Sequence, residues 1–123
     1  MHKILLSIGT NTDNSFNLDR AKSNLLHYFP FIQFTKEIKS DAYGAQYNNV
    51  FSNMLAFFES NLSKEELQTC FKSIEKKMGR KPTHKAQGKV IIDIDLIKVD
   101  DEIIKKEEFK RDYIIKLLKE LEN

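Results

Sequence analysis

The stretch Val90-Ile91-Ile92-Asp93-Ile94-Asp95-Leu96-Ile97-Lys98-Val99 constrains the fold more than any other part of the chain. It is apolar and β-branched almost throughout, which reads as a strand. Into it are set two carboxylates two residues apart. The strand period of two puts Asp93 and Asp95 on one face and Ile92, Ile94 and Leu96 on the other. Burying an anion beside isoleucines is costly unless something cationic compensates it. Two carboxylates projecting together from a central strand therefore suit a hard divalent cation such as Mg2+. The same alternation also describes an ordinary half-buried strand with a solvated face.

The residues ahead of the strand bear on that choice. Lys76, Lys77, Arg80, Lys81, Lys85 and Lys89 supply six basic side chains between positions 76 and 89, with no acid among them. A cationic loop leading into an Asp-x-Asp strand makes sense for a nucleoside triphosphate: carboxylates hold Mg2+, and Lys and Arg balance the remaining phosphate charge. A basic loop alone is more often simply solvated, so the reading rests on loop and strand together.

Taken in order, Lys3 to Gly9 is a short apolar strand ending in the turn Gly9-Thr10-Asn11. Asn14 and Ser15 are N-cap candidates for a helix to about Tyr28, with Phe16, Ala21, Leu25 and Phe29 on its apolar stripe, stopped by Pro30. Phe31 to Lys39 reads as a second strand and Val50 to Glu59 as a third, separated by a polar stretch from Ser40 to Asn49 that is too long for a hairpin turn. Ser63-Lys64-Glu65-Glu66 is a capping box. The helix it opens carries Leu67, Cys70, Phe71, Ile74 and Met78 on one stripe and ends at Gly79, so Cys70 reads as a core residue and not a nucleophile. Asp100-Asp101 makes a turn, Glu102 to Ile104 adds a short edge strand, and Phe109, Tyr113, Ile114, Leu117, Leu118 and Leu121 mark an amphipathic C-terminal helix. The order β-α-β-β-α-β plus a C-terminal helix predicts a ferredoxin-like α+β fold. Both helices are expected on one face of an antiparallel sheet, with the other face left to loops and ligands.

At 123 residues the chain is expected to form one domain, residues 1–123. The net charge of +2 is too small to imply a polyanion partner. The lone Cys70 excludes an internal disulfide, no apolar run reaches the length of a membrane span, and the N-terminus is too short for a signal peptide. A cytoplasmic location, no membrane partner and a monomer or weak dimer are the resulting expectations. His2, His27 and His84 lack metal-ligand spacing and read as surface residues.

With these landmarks placed, the chain resembles the 6-hydroxymethyl-7,8-dihydropterin pyrophosphokinase family of folate biosynthesis. The family's opening strand ends Ile-Gly-Ser-Asn, here Ile8-Gly9-Thr10-Asn11; its Tyr-Leu-Asn is Phe51-Ser52-Asn53. Its helical Glu and following Gly-Arg are Glu75 and Gly79-Arg80, and its Gly-Pro-Arg-x-Leu-Asp-Leu-Asp is the segment Gly88 to Asp95. From Ser40 to Ile104 the correspondence needs no gap.

The resemblance implies Mg2+-dependent transfer of pyrophosphate from ATP to 6-hydroxymethyl-7,8-dihydropterin, with release of AMP. By position, Asp93 and Asp95 would bind two Mg2+ ions, Arg80 would contact the phosphates, and Glu75 would lie beside the nucleotide. Asn53 would hydrogen-bond the pterin edge, Phe51 would stack on its ring, and Ser40 and Tyr43 stand where the family's loop wraps the pterin. Arg111 and Tyr113 stand for the family's Arg-x-Phe. An aromatic face with an amide that donates and accepts also suits a flat polar heterocycle on chemical grounds.

The chain departs from the family at several positions. Val90 and Pro82 replace arginines, Gln87 a tryptophan, and Asp41-Ala42 a proline pair; a His-containing loop beyond Ile104 is skipped. Each lost phosphate-binding arginine costs on the order of 10²-fold in rate, and Lys85 or Lys89 would compensate only as point charges. Two other readings follow: a paralogue that binds pterin or nucleotide without turnover, and a ferredoxin-like nucleic-acid-binding module. The second is disfavoured because the strands lack paired exposed aromatics beside basic residues, so small molecules and not nucleic acid are the expected partners.

Overall fold

A computed structural model of the chain describes residues 1–40 and 50–121. Its strands are β1 (His2–Thr10), β2 (Gln33–Phe34), β3 (Ile38–Ser40), β4 (Phe51–Ser60), β5 (Asp93–Val99) and β6 (Glu102–Ile103). Its α-helices are α1 (Asn14–Tyr28), α2 (Lys64–Lys77), the single turn α3 (Lys106–Phe109) and α4 (Asp112–Leu121). The strands pair antiparallel in the order β2-β4-β1-β5-β6, with β3 also on β4. The expected ferredoxin-like α+β sheet is present, and no helix among the described residues is long and apolar enough to cross a membrane.

Helices α1 and α2 cover one face, as their stripes predict. Leu18, Ala21 and Leu25 from α1 and Leu67, Phe71, Ile74 and Met78 from α2 pack on Ile4, Leu6, Ile8, Met54, Ala56, Phe58, Ile92, Ile94 and Leu96. Phe16 is not part of that stripe. It is 63% exposed, with the Arg20 guanidinium 5.5 Å from its ring centroid. The N-cap also moves from the expected Asn14 or Ser15 to Asp13, whose φ of 43° is left-handed, while the Asn14 side-chain NH2 donates to Val50 O and Ser52 Oγ.

The capping box of α2 forms in full: Glu66 N–H donates to Ser63 Oγ at 3.1 Å, and Ser63 N–H donates to Glu66 Oε1 at 3.0 Å. Ser63→Ala should destabilise the protein by about 1 kcal/mol, read as a lower urea midpoint with an unchanged slope.

The opposite face corrects an expectation. It is not left wholly to loops and ligands, because α4 lies on part of it. Tyr113, Ile114 and Leu117 pack there on Leu5, Leu55 and Ile97. A β-bulge interrupts the strand there: Leu5 pairs with Lys98 and Leu6 with Leu96, leaving Ile97 as the extra residue of β5. Asp93, Asp95 and Ile97 thus share a face, whereas Val99 joins the α1/α2 side. One face of the sheet is divided into an apolar half under α4 and a polar half beyond its N-terminus.

Two strands are shorter than expected. Residues 31–39 split into β2 and β3 because the Thr35 hydroxyl enters the ladder, accepting from Leu55 N–H at 2.9 Å and donating to Lys36 O. Val90 to Ile92 precede β5 and are clasped by side chains instead. Val90 N–H donates to Asn11 Oδ1 at 2.7 Å, and Val90 O accepts from Asn11 N–H and Thr10 Oγ1.

Candidate active site

Cross-strand register builds the polar half of this face row by row. Gly9 of β1 lies between Asn53 of β4 and Asp93 of β5; in the next row Ser7 lies between Leu55 and Asp95. Close approach favours glycine in the first row: a Cβ at position 9 would sit 3.1 Å from Asn53 Oδ1, which would have to give by a few tenths of an ångström. The bare backbone there forms the floor of a cavity of about 140 Å³.

One wall of the cavity holds Phe51, Asn53 and Ser40. Asn53 Nδ2 donates to Ser40 Oγ at 2.7 Å, which fixes the amide and leaves its oxygen toward Gly9. The opposite wall holds Asp93 and Arg80, with Val90 above them. Arg80 Nη1 meets Asp93 Oδ1 at 3.1 Å, Glu75 Oε1 at 3.0 Å and Ile92 O at 3.2 Å. Glu75 lies behind this wall and does not line the cavity. It is 6% exposed, and its Oε2 accepts the Ile94 N–H at 2.7 Å. Burial raises its pKa, opposed by that amide and by Arg80.

The third side comes from the start of the C-terminal segment. Glu108 and Arg111 line the cavity and lie 3.8 Å apart. Arg111 Nη1 donates to the Tyr113 hydroxyl at 3.4 Å, which also bonds Ser7, while the Tyr113 ring belongs to the apolar cluster under α4. Asp95 stands between these groups. Burial first, then the charges and hydrogen bonds of Asp93 and Glu108, push its carboxyl up to about 9. Glu108 is raised as well, again by burial.

The structure therefore brings Ser40, Phe51, Asn53, Arg80, Asp93, Arg111 and Tyr113 to one cavity, with Asp95 bonded at its edge. Lys85 and Lys89 do not line it. Lys85 is exposed on a 3-10 helix over Pro82–Gln87, and Lys89 follows Gly88, whose φ of 65° turns the chain back toward β5. Tyr43 lies outside the described residues. Sequence reasoning missed Ser7 and Glu108. Ser7 was open to detection as the one hydroxyl in an apolar strand; Glu108 carried no signal beyond being an acid at the start of a helix.

Among the described residues no three His, Cys, Asp or Glu side chains are arranged to hold a metal ion. Mg2+ does not need three, since it keeps several waters and takes one or two carboxylates. Asp93, 40% exposed at the cavity wall, and the adjoining Asp95 give the hard oxygen donors it prefers, so the donor set fits.

A model of the family described as 7,8-dihydro-6-hydroxymethylpterin-pyrophosphokinase (HPPK) matches residues 5–123. No curated protein matches the chain.

Proposed function

Because this chain belongs to the 7,8-dihydro-6-hydroxymethylpterin-pyrophosphokinase family, we propose that it moves pyrophosphate from ATP to the hydroxymethyl group of 6-hydroxymethyl-7,8-dihydropterin and releases AMP. One observation carries this reading. A single cavity has an aromatic ring and an oriented amide on one wall, and a carboxylate with a guanidinium on the other. Phe51 stacks on the flat heterocycle with Tyr113 at the same cavity; Asn53, held by Ser40, reads its polar edge. Arg80 and Arg111 bind the phosphates and stabilise charge as the β-phosphorus changes partners from the bridging oxygen to the substrate hydroxyl.

Asp93 and Asp95 are the residues that would hold Mg2+, which would supply positive charge to offset that of the phosphates. Lys85 and Lys89 contribute field to the same region without lining the cavity. The test is direct: with MgATP and the pterin alcohol, AMP should form in step with pyrophosphorylated pterin. A second reading rests on Val90, an apolar side chain in the cavity wall. It predicts binding of nucleotide or pterin by calorimetry with no AMP above background.

A pH dependence follows from Asp95. Its carboxyl, raised to about 9, is protonated at neutral pH in the metal-free protein, so cation binding must expel that proton. Titrating Mg2+ near pH 7.5 in two buffers of different ionisation enthalpy should show proton release, with affinity rising until about pH 9.

A further inference from the structure

We infer that Glu75 is a positioning residue, which anchors one prong of the Arg80 guanidinium and ties that anchor to the strand between Asp93 and Asp95, without touching the nucleotide itself. The inference deepens the reading above and rests on it.

The carboxylate is committed on both oxygens. Oε1 faces Arg80 Nη1 at 3.0 Å, and Oε2 accepts the Ile94 N–H at 2.7 Å. Its side chain is 8% exposed, against 41% for Arg80, so the pair runs from the interior outward. The Ile94 amide needs such a partner because β6 pairs with β5 only at Lys98 and Val99. That leaves the outer edge beside the two aspartates without a strand, and an unpaired edge amide there is costly. One buried side chain from the last turns of α2 therefore fixes the backbone between the carboxylates and aims the arginine above them.

The Arg80 contacts show what the anchor achieves. Among the described residues every polar contact of the guanidinium is made by Nη1, to Glu75, Asp93 and Ile92 O. Arg80 itself lines the cavity, and its Nε and Nη2 donors make up the planar fork that suits a phosphate. A guanidinium held at one end keeps its remaining donors in a fixed direction and loses less freedom when phosphate arrives.

Glu75→Gln separates the two duties. The amide oxygen can still accept from Ile94 N–H, but an amide NH2 cannot accept from Arg80. In the metal- and nucleotide-free full chain, the Arg80 Nε–H signal in 15N–1H spectra should move toward that of a freely rotating arginine in Glu75→Gln, with the Ile94 amide little changed. With Mg2+ and a non-hydrolysable methylene analogue of ATP, Glu75→Gln should weaken binding about 10-fold and Arg80→Ala more. The double variant should match Arg80→Ala within about twofold, because the two residues act through one another. Losses that multiply would overturn the inference and make Glu75 a nucleotide contact in its own right. An unmoved Arg80 signal would overturn it too, even in a protein that folds poorly enough to blur the affinities. A wild-type chain that ignores the analogue while its Arg80 signal responds to Glu75→Gln would instead overturn the parent reading and leave the anchor intact.

Discussion

Asp95→Asn should abolish turnover, by on the order of 10³-fold or more, and at the same time make the metal-free protein more stable at neutral pH. The two effects share one cause. Asp95 is crowded by burial and by the carboxyl groups of Asp93 and Glu108, and its folded pKa lies near 9 against an ordinary 3.8. A carboxyl whose folded pKa is raised stabilises fully below the unfolded value and loses that contribution as pH climbs through the folded one. The wild type should therefore lose stability steadily from about pH 4 toward about pH 9. Asparagine reproduces the protonated form at every pH and donates to the same neighbours, so its melting temperature should stay flatter over that window. A variant with wild-type turnover would remove Asp95 from the cation seat; one with an unchanged melting profile would remove it from the strained cluster.

Arg80→Ala should be the next most damaging change. It removes a phosphate-facing fork, worth on the order of 10²-fold in rate. It also strips Glu75, a carboxylate only 6% exposed, of its one ion-pair partner among the described residues. Truncating one member of a buried pair leaves an uncompensated charge, and because Arg80 itself is 41% exposed, water softens the loss to about 2 kcal/mol. Arg80→Lys should return most of the stability and little of the rate, since an ammonium keeps the charge but not the fork. Thermal melts beside AMP-release rates check both halves; a lysine variant that recovers the rate would show that charge alone suffices.

Much of the site was legible because it depends on local pattern. The alternation through Ile92, Asp93, Ile94, Asp95 and Leu96 fixed which side chains share a face, and Ser63 with Glu66 marked the start of α2. What was not legible depends on contacts between distant segments. No periodicity announces that Ile97 is a bulge residue, or that α4 lies on the face that carries the carboxylates. Glu108 becomes a site residue only because α3 is a single turn that sets it beside Asp95. Thr35 breaks a predicted strand by supplying a hydroxyl where a carbonyl was expected. Glu75, matched by position to a nucleotide neighbour, has one oxygen on Arg80 and the other on the Ile94 amide, partners that no local pattern names.

The split face under α4 ties the proposed pocket to the docking of that helix on the sheet. The aromatic ring that pins this helix to Leu5, Leu55 and Ile97 also carries the hydroxyl that holds Arg111 and Ser7 at the cavity. Any fluctuation that lifts α4 would therefore open the hydrophobic layer and dismantle one pocket wall in the same motion. Ligand occupancy and the residence of α4 on the sheet become two readings of a single equilibrium. Substrates should slow amide exchange in α4 as strongly as in the strands they touch.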